Sequence, residues 1–200
     1  MKRQPKRGDQ KAAARKAILE AAVAVTVERR GGPITTELVA TRAGCAKGLV
    51  HYHFTTKQGL LAEVAACLWT DRAGAWQAAL ADDDATRAIQ AAWTLLEAEA
   101  SDGRAPASAW LGMSSDEMVV RSVSDCRTSF VSALADALER LLKRMRLQAT
   151  VPVIELAALL AATAEGLGLR MAGGTRPEDL EPAWAAFWVG LLALTRTAPR

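Results

Sequence analysis

An all-α fold is predicted by three features of this 200-residue sequence. Alanine and leucine dominate, β-branched runs are short, and apolar residues recur at helical spacing along nearly the whole chain. That pattern suits amphipathic helices and gives no segment the strict alternation of a half-buried strand. About nine helices are expected.

Residues 1–10 are polar and read as a disordered basic tail. A first helix is predicted from about Lys11 to Arg30, with Ala14, Ile18, Ala22 and Val25 on one face, until Gly31-Gly32-Pro33 stops it. Thr35 is placed to cap a second helix that carries Leu38, Val39 and Ala43 inward, and Gly44 supplies a positive-φ stop. A short third helix runs from about Ala46 to Tyr52. Thr55 and Gln58 have capping-box spacing for a fourth, which begins near Thr56 and buries Leu60, Leu61, Val64 and Leu68. Asp82-Asp83-Asp84 forms a loop and cap before a fifth helix, Ala85 to about Ala100, with Ile89, Trp93 and Leu96 inward. Ser101 to Pro106 breaks it, and a brief helix follows around Ala107 to Met113. From Glu117 to Leu147 the positions Val119, Val123, Cys126, Phe130, Leu134, Leu138, Leu141 and Met145 hold a period near 3.6, which predicts one long amphipathic helix.

Two further helices span about Val153 to Ala172 and Pro182 or Pro177 to Arg196, parted by Gly173-Gly174. Both are apolar on more than one face, so each must be covered on several sides, and a second copy of the chain is the expected cover. Leu160, Ala161, Ala164, Trp184, Phe187, Trp188 and Leu191 are assigned to this homodimer interface. Burial inside the monomer is the alternative.

A chain of this length buries enough apolar surface to fold without staples. Its three cysteines, Cys45, Cys67 and Cys126, lack CxxC spacing, which argues against a disulfide framework or structural zinc and fits a reducing cytoplasm. Glu20, Glu28, Arg29 and Arg30 interrupt the N-terminal apolar stretch, so no signal peptide is expected. Glu155 and Glu165 interrupt the stretch Val151 to Leu169, so no membrane partner is expected either. Charge is distributed unevenly. Residues 1–60 hold 12 Lys/Arg against 4 Asp/Glu, whereas residues 61–200 hold 13 against 18. A basic first third points to a polyanion contacted by that part alone. A solvated tail would explain Lys2 to Lys11 but not Arg15, Lys16, Arg42, Lys47 and Lys57.

Thr35 to Phe54 read as helix, Gly turn, helix, with small Ala40 at the crossing and Val39 and Val50 locking it. Such a unit presents the first turn of its second helix to a major groove, and here that turn carries Lys47. Thr35, Val39, Ala40, Ala43, Gly44, Gly48, Phe54, Lys57 and Leu60 match the hallmark T-x-x-x-IA-x-x-AG-V-S-x-G-x-x-Y-x-x-F-x-x-K-x-x-L, and on them the sequence resembles the TetR family of transcriptional regulators. The resemblance implies a helix-turn-helix head over residues 11–56 and a ligand-binding and dimerisation domain over 57–200. It also implies double-stranded operator DNA and a small-molecule effector as partners, with repression the expected outcome. It makes Lys57 a phosphate contact, Thr35 a cap that also touches phosphate, and Gly48 a point of close approach. Thr36, Cys45, Ala46, His51, Tyr52 and His53 complete the candidate DNA contacts. Ala46, Leu49 and His51 stand where the family often has hydroxyls or Tyr, which bears on the bases read. His51 and His53 are two residues apart, about 200° around a helix, so no metal is expected between them.

All six tryptophans follow residue 68. By the resemblance, helices carrying Trp69, Trp93, Trp110, Met113, Met118, Cys126 and Phe130 surround an internal pocket, with Arg121 or Glu165 as the orienting polar group. Aromatic and thioether walls suit an apolar or aromatic ligand; ordinary core packing is the competing account. A helical small-molecule-binding protein or enzyme without DNA binding is the alternative reading. No Ser-His-Asp set, HExxH or phosphate-binding glycine loop supports catalysis, both histidines lie in the head, and no cofactor is expected.

Overall fold

The computed structural model describes residues 7–198. Among them nine helices follow the expected order: α1 (Arg7–Glu28), α2 (Thr36–Ala43), α3 (Lys47–Phe54), α4 (Lys57–Ala79), α5 (Ala85–Ser101), α6 (Arg104–Gly112), α7 (Glu117–Arg144), α8 (Val153–Ala172) and α9 (Pro177–Ala193). The first helix reaches back to Arg7, into the stretch read as a tail, as an extension of the alanine-rich run that follows. Residues 1–6, the rest of that predicted tail, lie outside the described residues.

Capping residues set most of the boundaries. Thr35 Oγ1 accepts from the Leu38 N–H at 3.2 Å, and Gly44 at φ 65° closes α2. Asp84 and Asp116 each accept two backbone N–H bonds at the starts of α5 and α7. At α4 the cap is Thr56, whose Oγ1 accepts from the Gly59 N–H at 3.0 Å, one residue later than the capping-box spacing placed it. Thr55 instead reverses the chain after α3 with φ 59° and ψ −53°. For a β-branched residue that conformation costs about 1–3 kcal/mol. Thr55→Gly is therefore expected to raise stability by about 1 kcal/mol once glycine's extra unfolded-state entropy is subtracted. The urea midpoint measures it, and an unchanged or lower midpoint contradicts it.

Where no strand was expected, two segments of three residues each form an antiparallel pair, β1 (Leu147–Ala149) and β2 (Thr195–Thr197), with Gln148 opposite Arg196. Segments this short show no period of two, and their partners are far apart in sequence, Gln148 and Arg196 by 48 positions. The pair replaces the last turns predicted for the seventh and ninth helices. The ninth helix starts at Pro177, at N1, where a missing N–H costs nothing.

The long α7 packs along α4 and also against α8, burying Val119, Val123, Phe130, Leu134, Leu138 and Leu141 as its periodicity predicts. Leu38, expected inward, is 37% exposed, because α2 has α1 and α3 as neighbours and turns that side to solvent. Aromatic rings fill the centre of the C-terminal body. Trp69 lies 5.3 Å from Phe130, Phe130 6.4 Å from Trp76, Trp76 6.4 Å from Trp184 and Trp184 5.9 Å from Trp93, centroid to centroid. Within this cluster the Arg72 guanidinium sits 4.9 Å from the Phe130 ring and donates to Glu99 at 3.2 Å, while the Trp76 indole N–H donates to the same carboxylate at 3.3 Å.

Candidate nucleic-acid interface

The head is built by the crossing of α2 and α3. Val39, Ala40, Val50 and Phe54 are buried and hold the two helices together, so the opposite side of α3 is presented outward. On that side Ala46, Lys47, Gly48, His51 and Tyr52 are all exposed, Tyr52 by 65%. Gly48 has open space where a Cβ would stand. Lys57, at the first position of α4, is exposed as well. Thr35 is exposed at its cap, Thr36 is half-buried, and Cys45 is half-buried against the core. His53 is half-buried beside Tyr52 and Phe54, with ring centroids 5.2 and 6.4 Å away.

The five cations set apart by charge divide into two groups. Arg15 bonds Glu63 at 2.5 Å, Lys16 pairs with Glu20 at 3.6 Å and Arg42 bonds Glu28 at 2.5 Å. Internal partners therefore account for three of them. Lys47 and Lys57 form no ion pair among the described residues, which leaves their charge for an outside anion. One contributor carries no signal in the sequence: Lys11 Nζ lies 5.0 Å from the centre of the Tyr52 ring. Only the packing of α1 across α3 reveals this, because nothing in the spacing links positions 11 and 52.

The residues predicted to line one effector pocket do not border a single cavity. Trp69, Trp93 and Phe130 are core, at 2%, 4% and 1% exposure, because the rings fill one another's space. Trp110 and Met113 border a space of about 350 Å³ that also touches Lys57. Met118, Arg121 and Cys126 border another of about 500 Å³ on the outer side of α7. Glu165 meets Trp69 only at a void of about 20 Å³, with its carboxylate held by Arg127 at 3.0 Å and Arg72 at 4.0 Å. Arg121 is spent on Glu117 of its own helix. A cleft of about 700 Å³ lies elsewhere, between α1 and α4, and none of the nine residues borders it. Cys67 does, and burial, followed by the Asp71 and Glu63 charges, pushes its thiol above the usual range, which disfavours a reactive thiolate.

The residues assigned to the dimer interface are mostly covered by their own chain. Leu160, Ala161, Ala164, Trp184, Trp188 and Leu191 are buried within the single chain, and Phe187 is half-buried against Trp184. With apolar residues on every side, periodicity alone does not say which face its own chain covers. Outward on the same helices stand Leu159 at 48%, Leu169 at 43% and Val189 at 70%.

Residues 18–64, from within α1 into α4, match the family model of the bacterial regulatory proteins of the tetR family. No curated protein matches the chain in sequence. A protein of Mesorhizobium loti MAFF303099 assigned to the TetR-family transcriptional regulators superposes with a TM-score of 0.74 at 20% identity, over 93% of this chain and 98% of its own. Escherichia coli NemR in its reduced form gives 0.73 at 16% identity, over 92% and 99%. NalD, the secondary repressor of the MexAB-OprM multidrug efflux pump in Pseudomonas aeruginosa, gives 0.58 at 19%, over 93% and 97%. Identities this low speak for the fold, and the matched segment speaks for the head. Residues 18–64 are thus similar to the tetR family of bacterial regulatory proteins, and the fold of these solved structures is shared over about nine-tenths of the chain.

Proposed function

We propose that this regulator acts as a cytoplasmic homodimer that places two α3 helices in successive major grooves of a two-fold-related operator and represses transcription until a small molecule lowers its affinity. Residues 11–56 serve as the reading head and residues 57–200 as the effector and dimer body. The observation that carries the reading is the outer side of α3, where Lys47, His51 and Tyr52 are exposed while Val50 and Phe54 anchor the helix from behind. Lys47 reads base edges and Lys57 grips phosphate. The chain works by binding, a reading supported by the match of residues 18–64 to a family of bacterial regulatory proteins.

Dimerisation follows from the same geometry, since half-sites about 34–36 Å apart require two heads held at fixed spacing. The exposed apolar residues of α8 and α9 supply the surface, and Val189 is the most exposed of them. Because a two-fold contact repeats every residue, Val189→Glu places two carboxylates in one seam. The variant is expected to sediment as a monomer at concentrations where the parent is a dimer, and to lose operator affinity with it. A dimeric Val189→Glu protein contradicts this interface. Selection of bound fragments from genomic DNA tests the function itself: recovery of one shared two-fold-related sequence supports it, and indiscriminate recovery refutes it.

A further inference from the structure

The cleft between α1 and α4 has walls that do not match. From α1 it receives Leu19, Val23 and Val27, a second apolar stripe beside the buried one of Ile18, Ala22 and Val25. From α4 it receives Ala66, Cys67 and Thr70, which are too small to fill the space opposite. The stripe is consequently half-buried, and about 700 Å³ stands open, within the range of roughly 300–1,000 Å³ typical of small-molecule sites.

Both ends of the cleft are closed. At one, Arg15 bridges from α1 to Glu63 of α4. At the other, Gly103 lies so close to α1 that a Cβ on it would stand 2.5 Å from the Val27 carbonyl oxygen, and Arg30 donates to the carbonyls of Ala100 at 3.1 Å and Ser101 at 3.2 Å. A continuous helix of another protein does not fit between such stops, whereas a discrete molecule does. Rim charges cancel in pairs, Lys16 with Glu20 and Arg104 with Asp102. Asp71 is exposed and makes no hydrogen bond or ion pair among the described residues; it feels the Arg104 charge that Asp102 already shares, so the lining as a whole carries a net single negative charge.

We propose that this cleft binds a small apolar molecule bearing a single positive charge, its body against Leu19, Val23 and Ala66 and its cation near Asp71. Its occupant wedges α1 of the head away from α4, the helix whose first residue is Lys57. That regulatory half rests on the DNA-binding reading above; the binding half does not.

Tetraphenylphosphonium and tetraphenylborate, of one shape and opposite charge, serve as probes on the full chain. The cation is expected to bind and to slow alkylation of Cys67 by N-ethylmaleimide, leaving Cys45 and Cys126 unchanged, while the anion does neither. Asp71→Asn, a surface change, is expected to weaken cation binding about three- to fivefold. Ala66→Phe, which fills the floor, is expected to abolish it with the far-ultraviolet dichroism retained. Equal binding of both probes, protection of Cys126 instead, or no effect of either substitution overturns the site. Protection of Cys67 that rises with protein concentration and needs no cation puts a second copy over the cleft, and overturns it too. In band shifts on the selected operator the cation is expected to lower affinity in the parent but not in Ala66→Phe. An unchanged parent shift alongside intact Cys67 protection overturns the wedge alone, and failure to select any operator counts against the DNA-binding reading while the probe results stand.

Discussion

Arg72→Ala is expected to destabilise the fold by about 3–5 kcal/mol, because it leaves the Glu99 carboxylate buried without its counter-charge. Glu99 is 2% exposed, and its partners are Arg72 at 3.2 Å and the Trp76 indole at 3.3 Å. The guanidinium also fills space between the Trp69 and Phe130 rings, 5.3 and 4.9 Å from their centres, so truncation opens a cavity as well. Arg72→Met combined with Glu99→Leu removes both charges and keeps the volume, and is expected to return within about 1 kcal/mol of the parent or above it. Chemical denaturation of the parent, the single variant and the double variant decides the matter; a single variant as stable as the parent refutes the account. Burial pushes the Glu99 carboxyl above its usual range, outweighing the Arg72 charge and the Trp76 hydrogen bond that pull it down. The sign follows from linkage. A carboxyl whose folded value is raised contributes stability that is fully present below its unfolded value and is lost as pH rises through the folded one. Glu99→Gln is therefore expected to flatten the fall in stability on the alkaline side of the ordinary carboxylate range.

Lys47→Ala is expected to cost about 1–3 kcal/mol of affinity for the selected operator and less for random DNA, which narrows the ratio between them. Its position carries the argument: first residue of α3, exposed, and without an ion pair among the described residues. Lys57→Ala is expected to weaken both DNAs alike and to lower the salt slope by about 0.9, as loss of one phosphate contact requires. Fluorescence anisotropy at several salt concentrations separates the two. Equal losses on both DNAs for Lys47→Ala remove it from base reading, and an unchanged slope for Lys57→Ala removes it from the phosphate.

Local signals make the head legible in the amino-acid sequence. Thr35, Ala40, Gly44 and Val50 act through a cap, a close crossing, a positive-φ turn and a lock, all between residues fewer than twenty positions apart. The long period of α7 is readable for the same reason, since each buried residue lies three or four positions from the next.

Helix order, the outward side of α3 and the likeness of residues 18–64 to the tetR family are thus written in short-range patterns of residues. Long-range packing settles the rest: which of several apolar faces on α8 and α9 turns inward, that Trp69, Trp76, Trp93 and Trp184 pack into one aromatic cluster with Phe130, and that Arg15, Lys16 and Arg42 are paired within the chain. Those outcomes depend on volumes and charges meeting across distant segments. A periodicity of 3.6 records which residues share a side of one helix, but it carries no information about what another helix sets against it.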